Sequence, residues 1–315
     1  MPQTRNLRSL GPVQTTVRGA QQALDDLWDQ TATETRAYTG NIVALTEKKH
    51  LDRVQEALSS LGGRYAGRQI IGVMDGDETV EVEVSLVAQE GQYIERLILD
   101  ANAEQLQGAI LPLLRPATAN HVWWASDEPP GGALLAELAE LADQVIADTL
   151  TLNLGPLGPH CSLSDLGWAR AASWREATAQ LFDVPGAAAR LPGVDTLTVT
   201  YAGDNPQPAK LFAGWIASRL GWSDLGRLNV QSDPGSGREN SDLSGVELVG
   251  GGARFALTTA EGDLVQSVST YGDVNREAEV RLPPMTLGEG LGFVMARPEQ
   301  SENFLQALAV ARSLP

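Results

Sequence analysis

The chain has 315 residues, 43% of them apolar and 20% charged, the proportions of an ordinary globular protein rather than a disordered one. Forty acidic residues against 23 basic ones give a formal charge of −17, which repels nucleic-acid phosphates and anionic lipid headgroups and argues against both as partners. The single cysteine, Cys161, allows neither an intrachain disulfide nor a cysteine-built metal site.

The length suits two domains of roughly 150 residues each. Residues 1–15 read as a loose arm. Val17, Ala20, Leu24, Leu27 and Trp28 recur at helical spacing and predict a long amphipathic helix over 16–37. Residues 41–46 form a short apolar run, a strand or a helix lead-in. Leu51, Val54, Leu58 and Leu61 predict a helix closed by Gly62 and Gly63. Strands follow at 68–74, at 80–86, where Val82, Val84 and Leu86 alternate with Glu81, Glu83 and Ser85, and at 93–99. A helix at 103–114 precedes a short strand at 121–125. A helix through Leu134, Leu138 and Leu141 then leads to a strand at 145–149. This alternation of strand and helix predicts α/β layering.

The Gly-Pro pairs between 153 and 160 mark the linker between an N-terminal domain, 1–152, and a C-terminal domain, 160–315. Beyond it a helix is expected over 163–182, with Ser162 or Ser164 as its N-cap and Asp165 at its positive end. A strand at 196–201, a helix at 208–220 and a strand at 227–231 come next. Four short runs between 246 and 282 are spaced as in an antiparallel sheet, and a helix closes the chain at 304–314. The fold class is therefore α/β, mixed with α+β: two layered domains with partly antiparallel sheets.

The search for chemistry is largely negative. His50, His121 and His160 form no ligand pair, and an ordinary structural role outweighs a catalytic one for each. Glu81 and Glu83 share a strand face without a third ligand, so no metal is expected. No nucleophile elbow or Walker sequence is present. The glycines of 288–292 lack the strand–turn–helix setting of a dinucleotide site and read as a turn cluster, and no cofactor is expected. What remains is a concentration of Trp168, Arg170, Trp174 and Arg175, residue types enriched at interface hot spots. Trp168 and Arg175, seven apart, share a helix face; Arg170 and Trp174, four apart, share another. On composition alone a core role for the tryptophans outweighs an interface role, with the arginines pairing to Asp165, Glu176 or Asp183. Trp123 and Trp124, adjacent in a strand, point to opposite faces, one toward the core and the other toward solvent, a helix layer or a partner.

These runs carry a resemblance. Asp165-Leu166-Gly167-Trp168-Ala169-Arg170, then Trp174-Arg175-Glu176 and Ala179-Gln180-Leu181-Phe182-Asp183, resemble the hallmark segment of the OpcA family, the glucose-6-phosphate dehydrogenase assembly proteins. The run from Leu111 to Pro116, Val122-Trp123-Trp124, Pro129-Pro130, Leu141-Ala142-Asp143 and the run from Val145 to Thr149 are similar to family segments in the same order. Where many members carry His-Pro before an arginine, this chain has Tyr65-Ala66-Gly67-Arg68, and a lone Cys161 cannot reproduce the disulfide chemistry of cyanobacterial members. The resemblance implies a non-catalytic cytoplasmic protein that binds glucose-6-phosphate dehydrogenase and favours its active oligomer. Trp168, Arg170, Trp174, Arg175, Trp123 and Trp124 are the candidate partner contacts, and Arg170 and Arg175 the better candidates to reach outward. The rival reading is a sugar-phosphate-binding protein or enzyme with a pocket between its domains, using His121, Arg238 and Arg254. The absence of an apolar run of bilayer length and of a signal-like N-terminus sets the expected location in the cytoplasm.

Overall fold

A largely parallel sheet organises the first half of the chain. The computed structural model describes residues 7–31, 36, 38–65, 67–116, 118–128, 133–150, 152, 157, 160–235 and 242–314. In chain order the elements are β1 (Leu10–Thr15), α1 (Ala20–Asp29), β2 (Gly40–Thr46), α2 (Leu51–Ser60), β3 (Arg68–Val73), β4 (Glu81–Gln89), β5 (Gln92–Asp100), α3 (Ala103–Ile110), β6 (Ala119–Trp124), α4 (Leu134–Leu141), β7 (Gln144–Ala147) and β8 (Ser162–Asp165). Among the described residues these strands form one sheet in the order β1-β4-β5-β3-β2-β6-β7-β8. The six from β5 to β8 in that order pair in parallel, and β4 and β1 extend one edge antiparallel.

Each run takes its place for a physical reason. Every residue of β2 and β3 is buried, as in parallel strands covered on both faces. In β4 the alternation holds: Val82, Val84 and Leu86 are fully buried, while Glu81 is exposed and Glu83 half-buried. Helix α1 buries Ala20, Leu24, Leu27 and Trp28. It is shorter than the expected 16–37, and residues 32–35 and 37 lie outside the described ones. The expected loose arm is also corrected, because residues 10–15 pair with β4 as the edge strand β1. Pro12 obscured that strand in the sequence, since a proline argues against ladder pairing everywhere but at an edge.

The second half continues with α5 (Leu166–Arg170), α6 (Ala172–Gln180), β9 (Thr196–Tyr201), α7 (Gln207–Leu220), β10 (Leu228–Ser232), β11 (Leu243–Gly250), β12 (Ala253–Thr259), β13 (Leu264–Tyr271), β14 (Val274–Arg281), α8 (Leu287–Met295) and α9 (Glu302–Ala311). Six of its strands form a sheet in the order β10-β9-β11-β12-β13-β14, parallel only between β9 and β10. Leu197, Val199, Leu248, Phe255 and Leu257 from this sheet share a core with Trp174, Ala177 and Leu181 of the α6 region and Phe212 and Ile216 of α7. The α/β class with two layered, partly antiparallel sheets is as the sequence indicates.

The chain divides into two units, Met1–Asp165 with Leu287–Gln300, and Leu166–Thr286 with Ser301–Pro315. The division falls after Asp165, where β8 adds to the first sheet beside β7; most of the expected linker, residues 153–156, 158 and 159, lies outside the described residues. Three sequence expectations change here. Ser162 and Ser164 lie in a strand and cap no helix, and the single helix expected over 163–182 is a strand followed by two helices. Residues 288–292, expected as a glycine turn, lie inside α8 within the first unit. The glycine cost to the helix is offset by close approach: a Cβ on Gly288 would collide with the Ser60 hydroxyl and the Ala57 carbonyl of α2.

In the second unit Gly214 of α7 serves a similar contact. A Cβ there would strike the backbone carbonyl oxygen of Ala307 on α9, which cannot rotate away. Gly214→Ala is therefore expected to destabilise this unit by about 1–3 kcal/mol through overpacking, read as a lowered urea midpoint. A midpoint at or above wild type would show that the helices separate freely.

Candidate partner-binding segment

The hallmark run begins at the end of the first sheet. Asp165 is 2% exposed, and its Oδ2 accepts hydrogen bonds from the backbone N–H and the hydroxyl of Thr149, both at 2.8 Å. Two stretches of the family resemblance, around 145–149 and at 165, therefore lock to each other. The carboxylate satisfies a buried N–H that leaves the sheet after β7, a structural task.

Helices α5 and α6 then present the aromatic and cationic residues. The Arg175 guanidinium stacks on the Trp168 ring, 3.6 Å from its centroid, and donates to the Trp168 carbonyl oxygen. This is the seven-residue pairing that the sequence spacing indicates. Trp168 also meets Phe304 of α9, with ring centroids 5.7 Å apart. Both partners of the stacked pair are half-buried. Trp174, by contrast, is 4% exposed and belongs to the core between helices and sheet. Arg170 pairs with Asp242, just before β11, through Nη2 and Oδ1 at 2.5 Å, and its side chain keeps 19% of its exposure. The expected partners Asp165, Glu176 and Asp183 are not the ones it takes. Asp242 lies 72 residues away, and no local pattern reveals it. Of the two arginines expected to point outward, Arg170 is directed inward.

The remaining candidates are placed as follows. Trp123 and Trp124 are 3% and 5% exposed, so neither ring offers a partner a surface. A parallel sheet with both faces covered buries both sides of β6. Trp124 Nε1 donates to the Glu128 carbonyl oxygen at 2.8 Å. Arg254 forms an exposed ion pair with Glu247 across the β11–β12 ladder at 2.6 Å. Arg238, Pro129 and Pro130 lie outside the described residues. Burial raises the pKa of the half-buried Cys161 thiol, which holds it in the unreactive form. Among the described residues no group of three or more His, Cys, Asp or Glu could hold a metal ion, and no helix is long and apolar enough to cross a membrane.

His121 is 8% exposed, with Nδ1 2.8 Å from Gln144 Oε1. Gln144 in turn donates to Ser164 Oγ at 2.8 Å and to the Val294 carbonyl at 3.0 Å. Burial lowers the histidine's pKa below its ordinary 6.5, against smaller opposing effects of Gln144 and Asp143. The folded state holds the neutral ring, while the unfolded chain takes up a proton first. The stability tied to the neutral ring is complete above pH 6.5 and is lost as pH falls through the depressed folded value. His121→Gln should flatten the loss of stability between about pH 7.5 and 5.5. Parallel slopes for variant and wild type would contradict this placement of the proton.

The sequence reading passed over the most densely bonded buried charge. Glu95 is 1% exposed and accepts from Trp28 Nε1 at 2.9 Å, the Tyr38 hydroxyl at 2.7 Å, Arg68 Nε at 2.8 Å and Arg115 Nη2 at 2.9 Å. Burial pushes its carboxyl pKa up, but the Arg68 charge, the Tyr38 and Trp28 hydrogen bonds and Arg115 more than offset that and lower it. Burial and the bond to Glu95 push the Tyr38 phenol up to about 12. Arg68, the arginine that follows the divergent Tyr65-Ala66-Gly67, thus anchors the sheet rather than facing a partner. The signal was present: Glu95 and Arg96 are adjacent charges inside the apolar run 93–99, so each face of a buried strand receives one.

Together these features define a two-unit α/β protein, one unit built on a doubly wound sheet, whose Arg- and Trp-rich segment is seated mainly in its own fold. Residues 58–156 match the sequence family described as glucose-6-phosphate dehydrogenase subunit N-terminal domain, and residues 161–308 match the corresponding C-terminal domain. The chain belongs to the OpcA family. It is 35% identical over 153 residues to the OxPP cycle protein OpcA of Nostoc punctiforme, covering 45% of this chain and 32% of that protein. It is 29% identical over 171 residues to the protein of that name from Synechococcus elongatus, covering 48% and 38%. The matched stretches thus span about a third of these relatives' length. Among solved structures, the apo form of levoglucosan dehydrogenase is similar with a TM-score of 0.47 at 10% identity, over 87% of this chain and 94% of that one. A 3-ketoreductase from Actinomadura kijaniata gives 0.46 at 9%, over 87% and 96%.

Proposed function

We propose that this chain is a non-catalytic cytoplasmic assembly factor that binds glucose-6-phosphate dehydrogenase and favours its active oligomer. The observation that carries this reading is that both halves of the chain match domains described as a subunit of that enzyme. The physical mechanism is selection. A protein that binds the assembled form better than the dissociated form shifts the population by its differential affinity, and needs no chemistry of its own. The net charge of −17 suits a partner face of opposite sign.

Within the hallmark segment the contact falls on the stacked pair of Trp168 and Arg175. Both retain exposure, whereas Trp174 is buried and Arg170 neutralises Asp242. Co-elution of the purified chain with its cognate dehydrogenase, with wild type beside Arg175→Ala, tests the reading. Wild type should form a complex, and the variant should bind about tenfold more weakly, equivalent to ~1.4 kcal/mol at an interface anchor. Equal affinity of the two would move the contact away from this pair, and absence of a wild-type complex would remove the reading altogether.

A further inference from the structure

The first sheet has a strand order known from nucleotide-binding domains. Numbered among themselves in chain order, its six parallel strands β2, β3, β5, β6, β7 and β8 lie in the spatial order 3-2-1-4-5-6. That order defines the dinucleotide-binding doubly wound fold, whose ligand sits in the crevice beyond the carboxyl ends of the strands where the order reverses. Here the reversal lies between β2 and β6. A cavity of about 680 Å³ opens there, lined among others by Glu47, Asp75, Glu104, Trp124, Ser126 and Glu128. The fold therefore implies a dinucleotide, and the side chains decide whether one fits.

Such a ligand needs a glycine-rich turn after the first strand, so that backbone can approach the pyrophosphate, and free N–H groups at the following helix start. Neither is provided. The chain leaves β2 through Thr46-Glu47-Lys48-Lys49-His50, without a glycine. Glu47 points one carboxylate oxygen at the Ser126 hydroxyl in a short hydrogen bond, and its other oxygen is buried with no hydrogen-bond partner. The backbone N–H of Lys48, which opens the helical turn, already donates to Asp75 Oδ1 at 2.8 Å. Asp75 follows the end of β3, where an acid in a dinucleotide site would hold a ribose hydroxyl; here it caps the chain's own backbone. Lys48 Nζ is bound to Asp100 at 2.7 Å, and His50 Nε2 lies 2.7 Å and Lys49 Nζ 3.9 Å from Asp127. Each basic group of the turn already has a carboxylate, and a pyrophosphate would face Glu47, Asp75, Glu104 and Glu128.

We infer that this crevice is closed to dinucleotides by the chain's own carboxylates, Glu47 filling the turn and Asp75 taking the N–H that a phosphate would need. The first unit keeps the architecture of a nucleotide-binding domain and serves as a scaffold that does not respond to the redox state of a nicotinamide cofactor. This holds or fails independently of which protein the chain binds.

The test titrates the full-length chain with NAD, NADH, NADP and NADPH by calorimetry, and with inorganic pyrophosphate as the minimal anion. Wild type is expected to show no saturable binding of any of them below about 1 mM, a Kd at which binding is already weak. Saturable dinucleotide binding by wild type below that concentration overturns the inference. The double variant Glu47→Gln, Asp75→Asn removes two negative charges with little change of shape. It is expected to bind pyrophosphate at least tenfold more tightly than wild type. If it folds by circular dichroism and gains nothing, the carboxylates are not what closes the crevice. If it does not fold, Glu47→Gln alone, which leaves the Asp75 cap intact, is held to the same criterion.

Discussion

Glu95→Ala is expected to cost the first unit roughly 3–5 kcal/mol, the cost of breaking a buried ion pair by removing one partner. Two arginines depend on this carboxylate. Arg68 is 3% exposed and approaches Glu95 to 2.7 Å, and Arg115 approaches it to 2.9 Å while stacking on the Tyr38 ring. Arg68 keeps hydrogen bonds to the Leu113 carbonyl and to Gln21, but these neutral acceptors do not balance its charge. Trp28 Nε1 and the Tyr38 hydroxyl would lose their acceptor as well. Glu95→Gln keeps the shape and one acceptor oxygen but not the charge, and should fall between wild type and the alanine variant. The pH dependence has the same origin. Because the folded pKa lies below the ordinary 4.5, the contribution of Glu95 is complete above 4.5 and is lost as pH falls through the folded value. Urea melts of the three proteins at neutral pH check the ranking. An alanine variant within 1 kcal/mol of wild type would mean that the arginines find water when the carboxylate is removed.

The second large effect separates fold from contact within the hallmark segment. Trp174→Ala should destabilise the second unit by about 3–5 kcal/mol, the range for truncating a large buried aromatic. Trp174 is 4% exposed and packs in the core that includes Ala177, Leu181 and Phe212. Arg175→Ala should cost only about 1 kcal/mol of stability, because it gives up a half-buried cation–π contact and a hydrogen bond to a carbonyl. Its effect on the dehydrogenase complex should be the larger one. Arg170→Ala is expected to resemble the tryptophan variant in kind, since it removes the cation from the largely buried Arg170–Asp242 ion pair. If Arg175→Ala unfolds the protein while Trp174→Ala does not, the division between anchor and contact is reversed.

Much of the fold was legible where local periodicity and burial agree. The Val82, Val84 and Leu86 alternation, the apolar faces of α1 and α2, and the four antiparallel runs of the second sheet all follow from side-chain spacing. The elements that misled are those in which a local signal points one way and packing another. Ser162-Leu163-Ser164-Asp165 has the composition of a helix start, but it sits beside β7 and completes the parallel sheet. The glycines of 288–292 look like a turn until α2 is present to receive them at Ser60. Pro12 hides an edge strand. The strand order 3-2-1-4-5-6 was not legible, because the glycine turn that usually announces it is replaced by Glu47, Lys48 and Lys49. The candidate site was legible only in part. The Trp168–Arg175 stack joins the two residues that the seven-residue spacing pairs, although they lie on the successive helices α5 and α6, whereas the Arg170–Asp242 pair joins residues 72 apart and depends on tertiary structure alone.

We propose that this chain acts on glucose-6-phosphate dehydrogenase by binding it. The most direct measurement mixes the two purified proteins at a concentration where the enzyme's oligomer partly dissociates. It follows elution volume by light scattering and the enzyme's substrate saturation curve in the same samples. The expected result is one complex peak containing the assembled enzyme, with activity reaching half its maximum at lower substrate than for the enzyme alone. Separate peaks with superimposable saturation curves would contradict it.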